Sequence, residues 1–187
     1  LIPDTRPNGQ FTDGICSACI YHESISETYI DWDARLNLLK EIIKRDRYKS
    51  KKGHFDCLIG VSGGKDSTRQ ALWVRDKLKL NPLLVCLTYP PEQVTERGVT
   101  NLSNLINLGF DVIVTTLAPK IWKSVLKKGF LESTNWAKAT EQAIISSVPR
   151  VAIRYDIPLI FWGENPGLQL GDMSTVGDTG YDGNNLR

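Results

Sequence analysis

The chain has 187 residues, of which 41% are hydrophobic and 24% charged, enough apolar material for one domain with a sizeable core. Lys and Arg number 23 against 21 Asp and Glu, and a formal net charge of +2 gives no global reason to expect nucleic acid. No apolar run approaches the roughly 18 residues of a membrane span. The early charges Asp4, Arg6 and Asp13 leave no room for the apolar heart of a signal peptide, so a cytoplasmic protein is expected.

Residues 1–29 are rich in turn formers (Pro3, Pro7, Asn8-Gly9, Asp13-Gly14) and read as a small N-terminal segment ahead of a domain over 30–187. Their chemical feature is Cys16-Ser17-Ala18-Cys19. Two cysteines at this spacing can hold one edge of a tetrahedral zinc site, with His22 as a third ligand; the other reading is two ordinary reduced thiols. Trp32, Leu36, Leu39 and Ile43 recur at helical spacing and predict a helix over 31–48, with Asp31 as its cap and Lys44, Arg45 and Arg47 at its end. The basic run to Lys52 reads as a solvated helix end and linker.

From residue 54 strands and helices alternate. A strand over 55–61 leads through Val61-Ser62-Gly63-Gly64-Lys65-Asp66-Ser67 into a helix over 66–79. A second strand, Pro82–Thr88, ends at Tyr89-Pro90-Pro91, and a helix over 95–108 stops at Gly109. A third strand over 111–115 precedes helices from about 119 to 129 and from Ala137 to Ala152, the latter capped by Thr134 or Asn135 and kinked at Pro149. A fourth strand, Pro158–Trp162, runs into Gly163-Glu164-Asn165-Pro166-Gly167. Short, continuously apolar strands between helices predict an α/β fold: an open parallel sheet with helices on both faces. Cys57 and Cys86 fall within such strands and read as core residues. The Asp- and Gly-rich residues 168–187 read as a loop.

The glycine loop carries the chemistry. Between a strand and a helix it exposes backbone N–H groups that the helix cannot satisfy, at the positive end of the helix dipole. That is an anion site. Gly63 and Gly64 let the backbone turn and let a phosphate approach without a Cβ. The loop is not a Walker loop, because Ile59 stands where the first glycine belongs and Asp66 follows Lys65. Nor does the spacing of Gly60, Gly63 and Gly64 fit the dinucleotide fingerprint. In open α/β sheets ligands bind at the C-terminal strand ends, which brings the loop, Thr88-Tyr89 and Gly163-Glu164-Asn165 together as candidates.

Ser62-Gly63-Gly64-Lys65-Asp66-Ser67 resembles the PP-loop of the N-type ATP pyrophosphatases, which cleave ATP between the α- and β-phosphates to adenylate a substrate oxygen. Further stretches resemble one branch, the N-acetyl sugar amidotransferases of surface polysaccharide and pseudaminic-type sugar biosynthesis. They are Pro3–Pro7, Gly14–Cys19, Gly98–Leu102, Leu108–Asp111 and Trp162–Pro166. The resemblance implies that ATP lies against Gly60, Val61, Ser62, Gly63, Gly64, Lys65, Asp66, Ser67, Thr88, Tyr89, Gly163, Glu164 and Asn165. In that scheme Lys65, Asp66 and Ser67 act in catalysis and Asp66 holds Mg²⁺. It also implies a nucleotide-linked N-acetyl sugar as acceptor and a separate glutaminase subunit as ammonia source, with no nucleic-acid partner. Family members look to carry another Cys-x-x-Cys before the position of Leu1, completing a structural Zn²⁺ knuckle with Cys16 and Cys19, and to continue beyond residue 187. The rival readings are a tRNA-thiolating PP-loop enzyme and a non-catalytic nucleotide-binding subunit of a sugar-modifying complex.

Overall fold

The structure, a computed structural model, describes residues 11–27, 29–51 and 53–163. The described residues divide into two compact units, 11–37 and 38–163.

In the first unit, strands β1 (Phe11–Thr12) and β2 (Ile15–Cys16) pair antiparallel, with Phe11 opposite Cys16. Asp13 and Gly14 both take positive φ, +51° and +79°, the backbone of the two-residue turn that Asp-Gly favours. Helix α1 (Ser17–Glu27) follows directly, so a segment rich in turn formers contains three turns of helix. Helix α2 (Trp32–Lys44) spans the boundary between the units in sequence. Its start is capped as expected, the Ala34 N–H donating to Asp31 Oδ1 at 2.8 Å. It ends earlier than the periodicity predicts, and a 3₁₀ turn, Asp46–Tyr48, takes over.

The second unit is built on four parallel strands in the order β5-β4-β3-β6. They are β3 (Cys57–Gly60), β4 (Pro82–Thr88), β5 (Val112–Thr116) and β6 (Ile160–Phe161). Between them lie α3 (Lys65–Asp76), α4 (Glu96–Asn107), α5 (Pro119–Ser133) and α6 (Ala137–Tyr155). Alternation along each strand sends side chains to two cores. Cys57, Ile59, Val61, Leu84 and Cys86 meet Ala71 and Val74 of α3 and Leu105 of α4 on one face. Leu58, Leu83 and Val85 meet Val148, Val151 and Ala152 of α6 on the other. The expected open parallel sheet, covered on both faces, is therefore the observed architecture. Burying one such Leu or Val side chain stabilises by about 1.5–3 kcal/mol, so these two layers hold the sheet.

Local chemistry sets the element ends. Thr95 caps α4, its Oγ1 accepting from the Gly98 N–H at 3.2 Å, and Gly109 stops that helix at φ +87°. Ahead of α6, Asn135 Oδ1 accepts from the Ala137 N–H at 2.9 Å. Pro149 lies within α6, and the helix runs on to Tyr155. Chain progression reverses at β3: it steps outward through β4 and β5, then crosses to β6 on the other side. That reversal is the topological switch point where open α/β sheets place their ligands.

Candidate functional site

The loop leaves the sheet at this switch point. Val61 is buried, and its N–H donates to the Val85 carbonyl at 2.9 Å, the last rung between β3 and β4. Gly63 then takes φ +76°, a backbone open to glycine and strained for other residues. A Cβ built there would stand 2.8 Å from Asn101 Cβ and 3.0 Å from its carbonyl carbon, so α4 presses on the loop from behind. Gly64 is extended, φ −70° and ψ 169°, and serves as the N-cap of α3 without a side-chain cap bond. The amides of Lys65, Asp66 and Ser67 thus begin a helix with no acceptor inside it.

Hydroxyls brace the turn from within. Ser62 Oγ accepts from the Gly64 N–H at 3.3 Å, and Ser67 Oγ both accepts from the Ser62 N–H at 3.4 Å and donates to the Gly64 carbonyl at 3.2 Å. Thr68 Oγ1 donates to the Gly63 carbonyl at 3.5 Å. The Gly63 and Gly64 carbonyls are thereby engaged by α3 side chains, which leaves donors rather than acceptors for a ligand. Lys65 and Asp66 are exposed on the first helical turn, and neither has an ion-pair partner among the described residues. An ammonium, a carboxylate and a row of free amides around one concave turn can hold a phosphate chain. A carboxylate beside bound phosphates also fits Mg²⁺, which takes one or two carboxylates and completes its shell with phosphate oxygens and water.

The other predicted contacts lie at the neighbouring strand ends. Thr88 Oγ1 donates to the Thr115 carbonyl at 3.4 Å and Thr116 Oγ1 to the Tyr89 carbonyl at 3.4 Å, which locks the ends of β4 and β5 together. Tyr89 is half exposed and meets the buried Trp122 edge-on, ring centroids 5.2 Å apart. Gly60 abuts α6 so closely that a Cβ would stand 2.9 Å from Val148 Cγ2. Gly163 packs on α3, where a Cβ would meet Gln70 Oε1 at 2.8 Å. Glu164 and Asn165 lie outside the described residues.

Some participants escape the sequence reading. Asn101 sits in a stretch that resembles the amidotransferases, yet its contact with Gly63 comes from a different helix and no local pattern announces it. Arg69, Gln70 and Trp73 join Asp66 along one face of α3 and line an open depression. Their spacing of three, four and seven residues from Asp66 is a readable helical stripe.

In the first unit the structure brings Cys16 and Cys19 together. Their side chains hydrogen-bond, and this contact together with the charge of Cys16 pushes the exposed Cys19 thiol above its ordinary value. Two adjacent sulfurs suit two of the four positions of a zinc knuckle. His22 lies one turn on, its Nδ1 3.5 Å from Ser26 Oγ. Among the described residues no three His, Cys, Asp or Glu side chains gather at a metal-binding distance. Cys57 and Cys86 are buried in the sheet, and burial raises both thiols, Cys57 to about 12.

No protein-family model matches the chain. Among curated proteins it is 27% identical, over 93 residues, to an uncharacterised protein of Methanocaldococcus jannaschii, covering 49% of this chain and 30% of that protein. Among solved structures it is similar to NMN synthetase from Francisella tularensis, with TM-score 0.53 and 14% identity over 80% of this chain and 55% of that one. It is also similar to the NH3-dependent NAD synthetase from Campylobacter jejuni in complex with the nitrate ion. There the TM-score is 0.50 and the identity 18%, over 80% of this chain and 64% of that one. At these identities the likeness is one of fold, and the chain spans less than two thirds of each of these three proteins. No described helix is long and apolar enough to cross a membrane.

Proposed function

We propose that this chain carries the ATP-cleaving site of an AMP-forming amidotransferase acting on the acetamido group of a nucleotide-linked sugar. The observation that carries the nucleotide half is the loop itself. Ser62-Gly63-Gly64-Lys65-Asp66-Ser67 turns at a parallel-sheet switch point with the Gly63 and Gly64 carbonyls engaged, the Lys65, Asp66 and Ser67 amides without an acceptor inside the helix, and Lys65 and Asp66 exposed. The likeness of fold to two synthetases agrees with this half. The sugar half rests on the resemblance of Gly14–Cys19, Gly98–Leu102 and Trp162–Pro166 to the N-acetyl sugar amidotransferases.

An amide is a weak electrophile, and replacing its oxygen needs activation. The acetamido oxygen attacks the α-phosphorus of ATP, the α–β bridge breaks, and pyrophosphate leaves. Ammonia then adds to the imidate carbon and AMP departs with the former amide oxygen, leaving an acetamidino sugar. The amides of Lys65, Asp66 and Ser67 and the Lys65 ammonium hold the departing pyrophosphate and offset its growing charge. Asp66 would hold a phosphate-bound Mg²⁺, which when present neutralises phosphate charge. Gly60, Val61, Thr88 and Tyr89 bound the adenine side, and Gly163, Glu164 and Asn165 complete the proposed set of ATP contacts. Fixing the two reactants in one crevice supplies much of the rate.

Cys16 and Cys19, with cysteines upstream of Leu1, form the structural zinc knuckle in this reading. A separate glutaminase supplies ammonia, and the enzyme works in the cytoplasm. The decisive experiment is product analysis of the full-length enzyme with ATP, ammonia and nucleotide-linked N-acetyl sugars. AMP, pyrophosphate and an acetamidino sugar are expected; formation of ADP and phosphate would sink the assignment.

A further inference from the structure

At the end of the sheet opposite the glycine loop, where β3 and β6 begin, a cavity of about 320 Å³ is lined by Ser50, His54, Phe55, Arg154, Tyr155 and Ile157. Its floor is core. Ile157 is buried, and Phe55 packs against the same cluster as Leu58, Val148 and Ala152. Its wall is the half-exposed ring of Tyr155. Around this apolar interior stand a guanidinium, an imidazole and a hydroxyl, contributed by two segments a hundred residues apart in sequence.

These polar groups have little to do within the protein. Among the described residues Arg154 has no carboxylate partner, and neither the Ser50 hydroxyl nor the His54 ring makes a hydrogen bond. His54 is held through its backbone, its carbonyl accepting from Asn81 Nδ2 at 2.7 Å. The nearby acid Asp56 is engaged, accepting from the Asn81 N–H at 2.7 Å, and Asp46 pairs with Lys49 at 2.7 Å. Interaction with the carboxyl-terminal dipole of α6 accounts for a cation at position 154. It does not account for a histidine and a serine converging on the same apolar hollow from the segment before β3.

We propose that this hollow is a second ligand site, separate from the glycine loop, for a small molecule that joins an apolar or aromatic ring to one carboxylate or phosphate. Arg154 presents a planar fork matched to either anion, and His54 and Ser50 add donors. Phe55, Tyr155 and Ile157 enclose the ring. The volume lies at the lower end for ligand pockets, about 300–1,000 Å³, which favours a single-ring compound over a nucleotide-linked sugar. Nothing in this site depends on the ATP reaction.

The test is an NMR titration of the whole chain with phenyl phosphate and with benzoate, read at the His54 imidazole and the Tyr155 ring. The sequence holds only two histidines, so His22 serves as the internal reference. The expected result is saturable shifts at His54 and Tyr155, with His22 unmoved, and binding about tenfold or more weaker in Arg154→Gln. Inorganic phosphate and benzyl alcohol, each half of the ligand, are expected to bind at least about tenfold more weakly than the joined compounds. Lys65→Ala keeps the response, which separates this site from the loop. Non-saturating shifts, equal response to phosphate alone, or unchanged affinity in Arg154→Gln would overturn the proposal. So would response only to an oligonucleotide, which would make the surface a polyanion patch. Arg154 and Tyr155 are exposed, and Tyr155→Leu provides a second variant in which loss of ring affinity is read without removing charge.

Discussion

Gly63 and Gly64 are adjacent, and the structure assigns them different work. Alanine at Gly63 meets two penalties. The left-handed backbone, φ +76°, disfavours a Cβ by about 1–2 kcal/mol. The new Cβ would also stand 2.8 Å from Asn101 Cβ and 3.0–3.1 Å from its backbone carbonyl, so helix α4 must move; such overpacking costs about 1–3 kcal/mol. A loss of roughly 3 kcal/mol, at about 2–4 °C per kcal/mol for a chain of this size, lowers the melting midpoint by roughly 6–12 °C. Alanine at Gly64 differs on both counts. Its backbone is ordinary for any residue, and the nearest neighbour to a Cβ is the Ser62 hydroxyl at 3.3 Å, which can give way. Gly64→Ala therefore melts within a few degrees of the parent. Its methyl group nevertheless stands at the mouth of the turn and displaces a phosphate chain. Thermal melts read beside calorimetric titration with Mg-pyrophosphate separate the two effects. Gly63→Ala is expected to fall in stability, and Gly64→Ala to keep its fold and lose affinity about tenfold or more. Wild-type stability of Gly63→Ala would refute the packing argument. Wild-type affinity of Gly64→Ala would refute the placing of the anion over that glycine.

Lys65→Ala should leave the melting midpoint unchanged, since the side chain is exposed, while slowing adenylation about a hundredfold or more; an active Lys65→Ala enzyme removes this residue from the mechanism. Asp66→Asn should lower turnover and raise the Mg²⁺ concentration needed for half-maximal rate, and an unchanged Mg²⁺ dependence would take the metal away from this carboxylate. Cys57 ties stability to alkaline pH. Its thiol ionises near 9.0 unfolded and at about 12 in the buried site, so its contribution is complete below pH 9 and is lost as pH rises through 9 to 12. Urea midpoints for the parent and Cys57→Ala should converge across that window; parallel curves would contradict the burial. For the N-terminal cysteines, a chain extended upstream should bind about one zinc, lost in Cys16→Ser with Cys19→Ser, and metal-free folding would disprove the knuckle.

Much of the second unit was legible because its elements carry local signals that agree with their surroundings. Strand β4 occupies Pro82–Thr88, the residues its apolar run predicts, and α4 falls within a residue of the expected 95–108, with its stop at Gly109. Helix α1 was illegible. Ser17–Glu27 has only Ile20, Tyr21 and Ile25 as large apolar residues and no acid in its first turn, while the residues before it are dense in turn formers. β6 contracts to Ile160–Phe161 from a five-residue apolar run, because only Leu58 and Ile59 of β3 are in register to pair with it. In the site, the strand–loop–helix order and the convergence of strand ends followed from pattern. Asn101 behind Gly63, Val148 behind Gly60 and the hydroxyl braces did not, since they depend on how distant elements meet.

The strand order has a kinetic consequence. β3 finds β4 after one short helix, Leu58 pairing with Leu83, whereas its other neighbour must arrive from Ile160. The entropy of closing the longer loop delays that second pairing, so β3, β4 and β5 can assemble with the glycine turn already framed by Val61 and Val85. The side of the crevice leading to Gly163 is then added last and, with two residues of pairing, opens first. Hydrogen exchange should find Phe161 less protected than Ile59. The phosphate cradle is thus the early, persistent half of the site, and the half beside it is the one the chain travels farthest to place.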